Sequence, residues 1–220
     1  MQAVQLVIRI GEVPVFLYLA GAAVYGEWVL LTSFAALLAL TDVGMIKAAQ
    51  REMAILCSKG SRTSAVRIFR SVSLALIALA IFVGVFAASL VHSFPLLDLL
   101  HISTLEGVEF CVVALALALQ TFAQMQASLL VAVLAANGKH GEGTVWYSLV
   151  YLLGFGCECL GLALTNGLVG AALGLCLGTL LGLAVMRVCV NQAALEYAWT
   201  LHGLEPKRLR RLALPAAANM

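Results

Sequence analysis

The chain has 220 residues; 63% are hydrophobic and 11% are charged, against roughly 25% charged in an ordinary soluble domain. Its mean hydropathy is +1.03 and its formal net charge is +2. Too few polar side chains are present to coat a soluble surface, which excludes a soluble enzyme, a nucleic-acid reader and a disordered linker.

A helix that crosses a membrane needs about 20 mostly apolar residues. The sequence predicts six such spans, at about 2–20, 27–46, 71–91, 110–136, 144–165 and 167–186. The fold class expected is therefore an all-α integral membrane protein with six transmembrane helices. Span one is weakened by Arg9, Glu12 and Pro14, and span two ends in Leu-Thr-Asp-Val-Gly. The stretch 47–70 carries six Lys or Arg and a single acid, Glu52. It is expected to be a loop lying on the inner leaflet, although an orientation signal alone would explain it. Spans three, four and six carry no charge, and span five carries Glu158 alone. Span four has Gln120, Gln124 and Ser128 at every fourth position, a polar stripe on an apolar helix.

The cations alternate with the spans. Lys47 to Arg70 follow span two, Lys139 follows span four, and Arg187, Lys207, Arg208, Arg210 and Arg211 follow span six. Arg9 lies in the amino-terminal half of span one, and no Lys or Arg follows spans one, three or five. By the positive-inside rule all 13 basic residues belong on one, cytoplasmic side, and both termini with them. Residues 1–190 then form a six-helix lobe, and 191–220 a basic cytoplasmic segment.

Span six carries Gly170, Gly174, Gly178 and Gly182, a face without side chains that predicts a tight helix–helix seam. Gly154, Gly156 and Gly161 of span five, with Gly11 and Pro14 of span one, suggest helices that bend.

Charged groups at depth cost roughly 2.5–3.5 kcal/mol on insertion scales and usually face water or a partner. At ~1.5 Å rise per residue, Arg9 lies about 10 Å in from the cytoplasmic side and Glu12 near the middle. Asp42 comes down span two to a height similar to that of Arg9. Two arrangements fit. Arg9, Glu12, Asp42, Gln120, Gln124 and Glu158 line a water-accessible cavity, with Arg51 at its mouth. Alternatively Arg9 pairs with Glu12, three residues away, and the glutamines bond to a neighbouring helix. The six cysteines read as packing residues, and Cys157 and Cys159 diverge on a helix, so no metal site is expected. Gly-x-Ser-x-Gly, His-Glu-x-x-His and P-loop motifs are absent, and His92 and Asp98 are not placed as a pair, so neither an enzyme nor a cofactor is expected.

Pro14-Val-Phe-Leu-Tyr-Leu-Ala-Gly21, Tyr25-Gly26-Glu27-Trp28, Leu40-Thr41-Asp42-Val43-Gly44 and Ala49-Gln50-Arg51 together resemble the opening of Wzx-type polysaccharide flippases. These belong to the multidrug/oligosaccharidyl-lipid/polysaccharide (MOP) exporter superfamily. The likeness is strongest over 9–51 and rests on helix count and orientation beyond. It implies one lobe of a two-lobed transporter of the MATE/MOP type, with Tyr25–Trp28 as a short outer turn. Because the chain stops at Met220, where a second lobe is due, a fragment of a longer protein is expected, or a lobe that pairs as a homodimer. The resemblance further implies a bacterial inner-membrane flippase for O-antigen, capsule or exopolysaccharide synthesis. Its cargo would be an undecaprenyl-pyrophosphate-linked oligosaccharide, with membrane lipids around it and no nucleic acid. Arg9 and Asp42 carry over as cavity residues, and Gln120 and Gln124 as sugar contacts. The alternative is a cation-coupled multidrug antiporter of the MATE branch, in which Glu12, Asp42 or Glu158 binds the coupling proton or Na⁺.

Overall fold

The computed structural model describes residues 2–39, 44–93, 105 and 107–193. Among the described residues the chain forms helices and no strand: α1 (Gln2–Leu19), α2 (Gly21–Ala39), α3 (Met45–Ser58), α4 (Arg62–Ser93), α5 (Gly107–Ala136), α6 (His140–Thr165) and α7 (Leu168–Ala193). Four of them are long and apolar enough to cross a membrane: α4 over Arg62–Val83, α5, α6, and α7 over Leu168–Val190. A shorter apolar stretch, Gly21–Leu37, lies in α2. The outer faces of the long helices expose side chains such as Leu115, Leu160, Leu164, Leu177 and Leu181, as hydrocarbon surroundings require. Asp42, Asp98, Glu106 and residues 194–220 lie outside the described residues.

Two boundaries differ from the sequence expectation. The chain breaks between α1 and α2 at Gly21, whose φ of +86° suits a residue without Cβ. Tyr25-Gly26-Glu27-Trp28 therefore lies inside α2 and is not an outer turn. The expected span 27–46 is also interrupted: α2 is described as far as Ala39, and Gly44, with φ +78°, precedes a separate helix that begins at Met45. The stretch 47–70 is not a loop. It is most of α3 and the first turns of α4. Ile46, Ala49 and Met53 form a buried stripe on α3 while Lys47 and Arg51 are exposed on the opposite face. Hydropathy averaged over a span-length window cancels such a stripe against its charges, whereas the 3.6-residue period retains it.

Packing divides the bundle into two apolar cores. One joins α3, the first half of α4, the end of α5 and the end of α7, around Met53, Ile68, Val72, Leu129, Val133 and Met186. The other joins α1, α2, the start of α5, the end of α6 and the start of α7, around Phe16, Trp28, Val113, Leu162, Leu168 and Ala171. Exposed Lys47, Arg51, Lys59, Arg62, Arg67 and Lys139, and half-buried Arg187, cluster at the end of the first core. Midway along α5, α6 and α7 neither core is continuous, and polar residues take over.

The helix pair in most extensive contact is α6 with α7. Asn166, in the left-handed conformation with φ 51°, turns the chain between them, and its N–H bonds the Leu162 carbonyl at 2.8 Å. The four glycines of α7 then lie directly on the α6 backbone. A Cβ at Gly174 would collide with the Cys157 carbonyl, and one at Gly170 with Thr165 Oγ1 and the Gly161 carbonyl. At Gly178 it would lie 2.5 Å from the Leu153 carbonyl oxygen, and at Gly182 2.9 Å from Val150 Cα. Gly154 and Gly161 contribute the facing side, where they allow close approach. Gly156 differs, with open space around the position of its missing Cβ.

Gly178→Leu should therefore destabilise the protein by ~3 kcal/mol or more, since helix backbone cannot yield as a side chain does. Gly156→Ala should be neutral or raise stability by ~0.5–1 kcal/mol. Thermal melts in detergent distinguish the two, and equal effects would remove the seam from the account.

Candidate functional site

Between the two cores lies a cavity of about 270 Å³. Five helices line it: α1 with Ile8, Arg9 and Glu12; α2 with Trp28, Thr32, Ala35, Ala36 and Ala39; α5 with Leu117, Gln120, Thr121 and Gln124; α6 with Tyr151, Gly154, Phe155 and Glu158; α7 with Leu175 and Thr179. On each helix these residues recur three or four apart, so each helix presents one polar or small-residue face inward. The interior of the bundle can therefore be apolar in its two cores while polar at mid-height.

Glu12 is fixed from α2. Trp28 Nε1 donates to Glu12 Oε1 at 2.7 Å. The indole is itself immobilised: it is fully buried and stacks on Phe16, with centroids 5.3 Å apart and planes 19° from parallel. Tyr25 packs on the other contact of Phe16 at 5.9 Å. Glu158 is only 4% exposed, and its Oε1 has no hydrogen-bond partner among the described residues. The Glu12 carboxylate and the Arg9 guanidinium both lie within electrostatic range of it, and the Trp28 indole is close by. Two carboxylates thus approach each other across the α1–α6 boundary, with an exposed cation on α1 beside them.

Along α5 the polar stripe divides. Gln124 accepts a hydrogen bond from the Tyr151 hydroxyl at 3.3 Å, and Ser128 donates to the Tyr147 hydroxyl at 2.9 Å. The two tyrosine hydroxyls are 3.5 Å apart, so a chain of polar groups runs from the cavity into the first core. Gln126 faces away and bonds Ser73 of α4 through both ends of its amide, at 2.9 and 3.0 Å. Thr32, Thr121 and Thr179 donate to carbonyls of their own helices at 2.8–2.9 Å, leaving their oxygens as acceptors toward the cavity.

Of the residues singled out in the sequence, Arg9, Glu12, Gln120, Gln124 and Glu158 line this one cavity. Asp42 lies outside the described residues, and its approach to Arg9 with it. Among the described residues Arg9 makes no ion pair with Glu12, whose Oε1 accepts from Trp28. Arg51 is not at the cavity: it stands on the exposed face of α3, whose apolar stripe turns the other way into the core. Sequence reasoning missed Trp28, Tyr151, Phe155 and Thr179. Trp28 and Tyr151 carried a legible signal, since amphipathic rings inside apolar spans need a partner for N–H or O–H. Chemically the cavity offers acceptors at depth, amides beside them and a guanidinium at the rim, a set suited to hydroxyls, ammonium groups and phosphates. Among the described residues no three His, Cys, Asp or Glu side chains gather to hold a metal ion.

An orphaned buried oxygen costs ~1–3 kcal/mol. Glu158→Met, which keeps the length of the side chain and deletes both oxygens, should therefore raise the melting temperature in detergent. A fall would mean that Glu158 is held by a partner. Comparison with protein-family models, with curated proteins and with solved structures finds no match to this chain.

Proposed function

We propose that this chain is a lobe of a membrane transporter that flips a lipid-linked oligosaccharide across the bacterial inner membrane. The glycan would serve O-antigen, capsule or exopolysaccharide synthesis, and the carrier is of the undecaprenyl-pyrophosphate type. In this reading α1, α2 and α4 to α7 all cross the bilayer, as in one lobe of a MATE/MOP exporter, and both termini are cytoplasmic. Nothing is done chemically to the cargo, so the protein is not an enzyme.

One observation carries the proposal: a guanidinium, two carboxylates and two glutamines meet in a cavity at mid-height of an apolar bundle. Ionisable side chains at that depth are expensive and usually mark a path for polar cargo. Arg9, exposed at the rim, binds the pyrophosphate, for which a guanidinium is well shaped. Gln120 and Gln124 contact sugar, and Glu158 accepts from its hydroxyls. At about 270 Å³ the cavity is near the lower end of ligand pockets (about 300–1,000 Å³), suited to the head of the cargo while the prenyl chain stays in lipid. The cations gathered at one end of the bundle support the orientation through the positive-inside rule. The resemblance over residues 9–51 supplies the substrate class.

A second reading is favoured by Glu158 Oε1, which lacks a hydrogen-bond partner among the described residues and has Glu12 within electrostatic range. Two close carboxylates would bind a coupling proton or Na⁺, as in a cation-coupled multidrug antiporter.

Deleting the gene should abolish surface polysaccharide and leave drug resistance unchanged. The full-length gene should restore it, and Arg9→Gln or Glu158→Gln at equal expression should cut the restored amount at least tenfold. Drug sensitivity with normal polysaccharide would select the antiporter and remove the flippase.

A further inference from the structure

The junction of α3 and α4 carries a set of cations that no acid among the described residues neutralises by an ion pair. Lys47 and Arg51 stand one turn apart on the exposed face of α3, Lys59 follows its end, and Arg62 and Arg67 open α4. All five are exposed, and among the described residues none of them forms an ion pair. Glu52 is the single acid between residues 47 and 70. Like charges one turn apart repel, so the cluster is suited to anionic groups supplied from its surroundings.

Height along the bundle says from where. Helix α4 has 32 residues, about 48 Å at ~1.5 Å per residue, whereas the hydrocarbon layer is ~30 Å thick. The helix is therefore longer than the layer is thick, and with its uncharged stretch 71–91 across that layer, residues 62–70 and their arginines would extend past it. Helix α3 packs against α4 and against the end of α5 through Ile46, Ala49 and Met53, which holds it at the same level. Its outer face mixes Lys47 and Arg51 with Ile55, which is 53% exposed. Cations beside an exposed aliphatic residue on one helix face suit the boundary between headgroups and acyl chains.

We propose that the α3–α4 junction is a binding site for the phosphate headgroups of anionic phospholipids in the leaflet that it borders. Lys47, Arg51, Lys59, Arg62 and Arg67 engage the phosphates, and Ile55 enters the upper acyl region. Because the other side of α3 is part of the first core, headgroup binding also clamps that core. The site lies outside the cavity, and the proposal stands whether or not the chain moves a glycan.

The test uses the whole chain, purified in a detergent with neutral headgroups and titrated with phosphatidylglycerol or phosphatidylcholine. Native mass spectrometry reads retained lipid and thermal melting reads stability. Wild type should retain phosphatidylglycerol at least threefold over phosphatidylcholine, with a higher melting temperature, and 1 M salt should erase the preference. Lys47→Gln/Arg51→Gln/Arg67→Gln should lose most of it, Arg51→Lys/Arg67→Lys should keep it, and Lys139→Gln, whose lysine pairs with Glu142 at 3.4 Å, should not change it. Equal retention of the two lipids, a preference that survives 1 M salt, or undiminished binding by the triple variant would overturn the site. The salt arm decides the question on wild-type protein even if the triple variant fails to fold.

Discussion

Gly170, Gly174, Gly178 and Gly182 strip one face of α7 of side chains, and the backbone of α6 occupies the space. In lipid there is little hydrophobic gain in bringing two apolar helices together, so dispersion contact between closely approaching surfaces has to supply the cohesion. Backbone-to-backbone contact over three turns is the densest form of it. The position of the cavity depends on this seam. Gly154 lies against Thr179 and Leu175, so the interval between Tyr151 and Glu158 on α6 is held at a fixed height beside Thr179 on α7. Loosen the seam, and the polar groups of α6 lose their register with those of α1 and α5.

The second constraint is the cost of a polar group in a dry interior. Each helix answers it differently. The threonines return their hydroxyl hydrogens to carbonyls of their own helix. Gln126 finds Ser73, Gln124 finds Tyr151, and Glu12 finds Trp28. Glu158 Oε1 finds nothing among the described residues, although the side chain is 96% withdrawn from solvent, the complement of its 4% exposure. A fold that satisfies the neighbouring polar groups and leaves that oxygen open retains it at a cost in stability, which is the usual mark of a group kept for binding.

Much of this was legible in the residues. Apolar runs of membrane length, interrupted only by Glu158, located α4 to α7, and the four-residue glycine spacing of α7 located its contact face. The shared face of Gln120 and Gln124, and the isolated acid Glu158, pointed inward because a charge or amide in lipid has nowhere else to go. What stayed hidden has physical reasons. The α3 helix has a balanced composition, so only its period reveals it. The break at Gly21 depends on a positive φ that Gly26 does not adopt, and nothing local distinguishes the two glycines. The Arg9–Glu12 pairing looked favourable from a spacing of three, whereas the donor that Glu12 does bind, Trp28, lies 16 residues away and no local spacing reveals it.

The interruption between the two apolar cores has a mechanical consequence. Cohesion at mid-height comes from the α6–α7 seam and from a few polar contacts, because hydrocarbon packing gives way there to the cavity. Helices α1 and α2 touch the rest of the bundle less extensively than α6 touches α7. The α6–α7 pair is therefore the most extensively joined part of the bundle, and a tilt of α1 and α2, which bear Arg9, Glu12 and Trp28, would open or shut the side of the chamber that holds the charges.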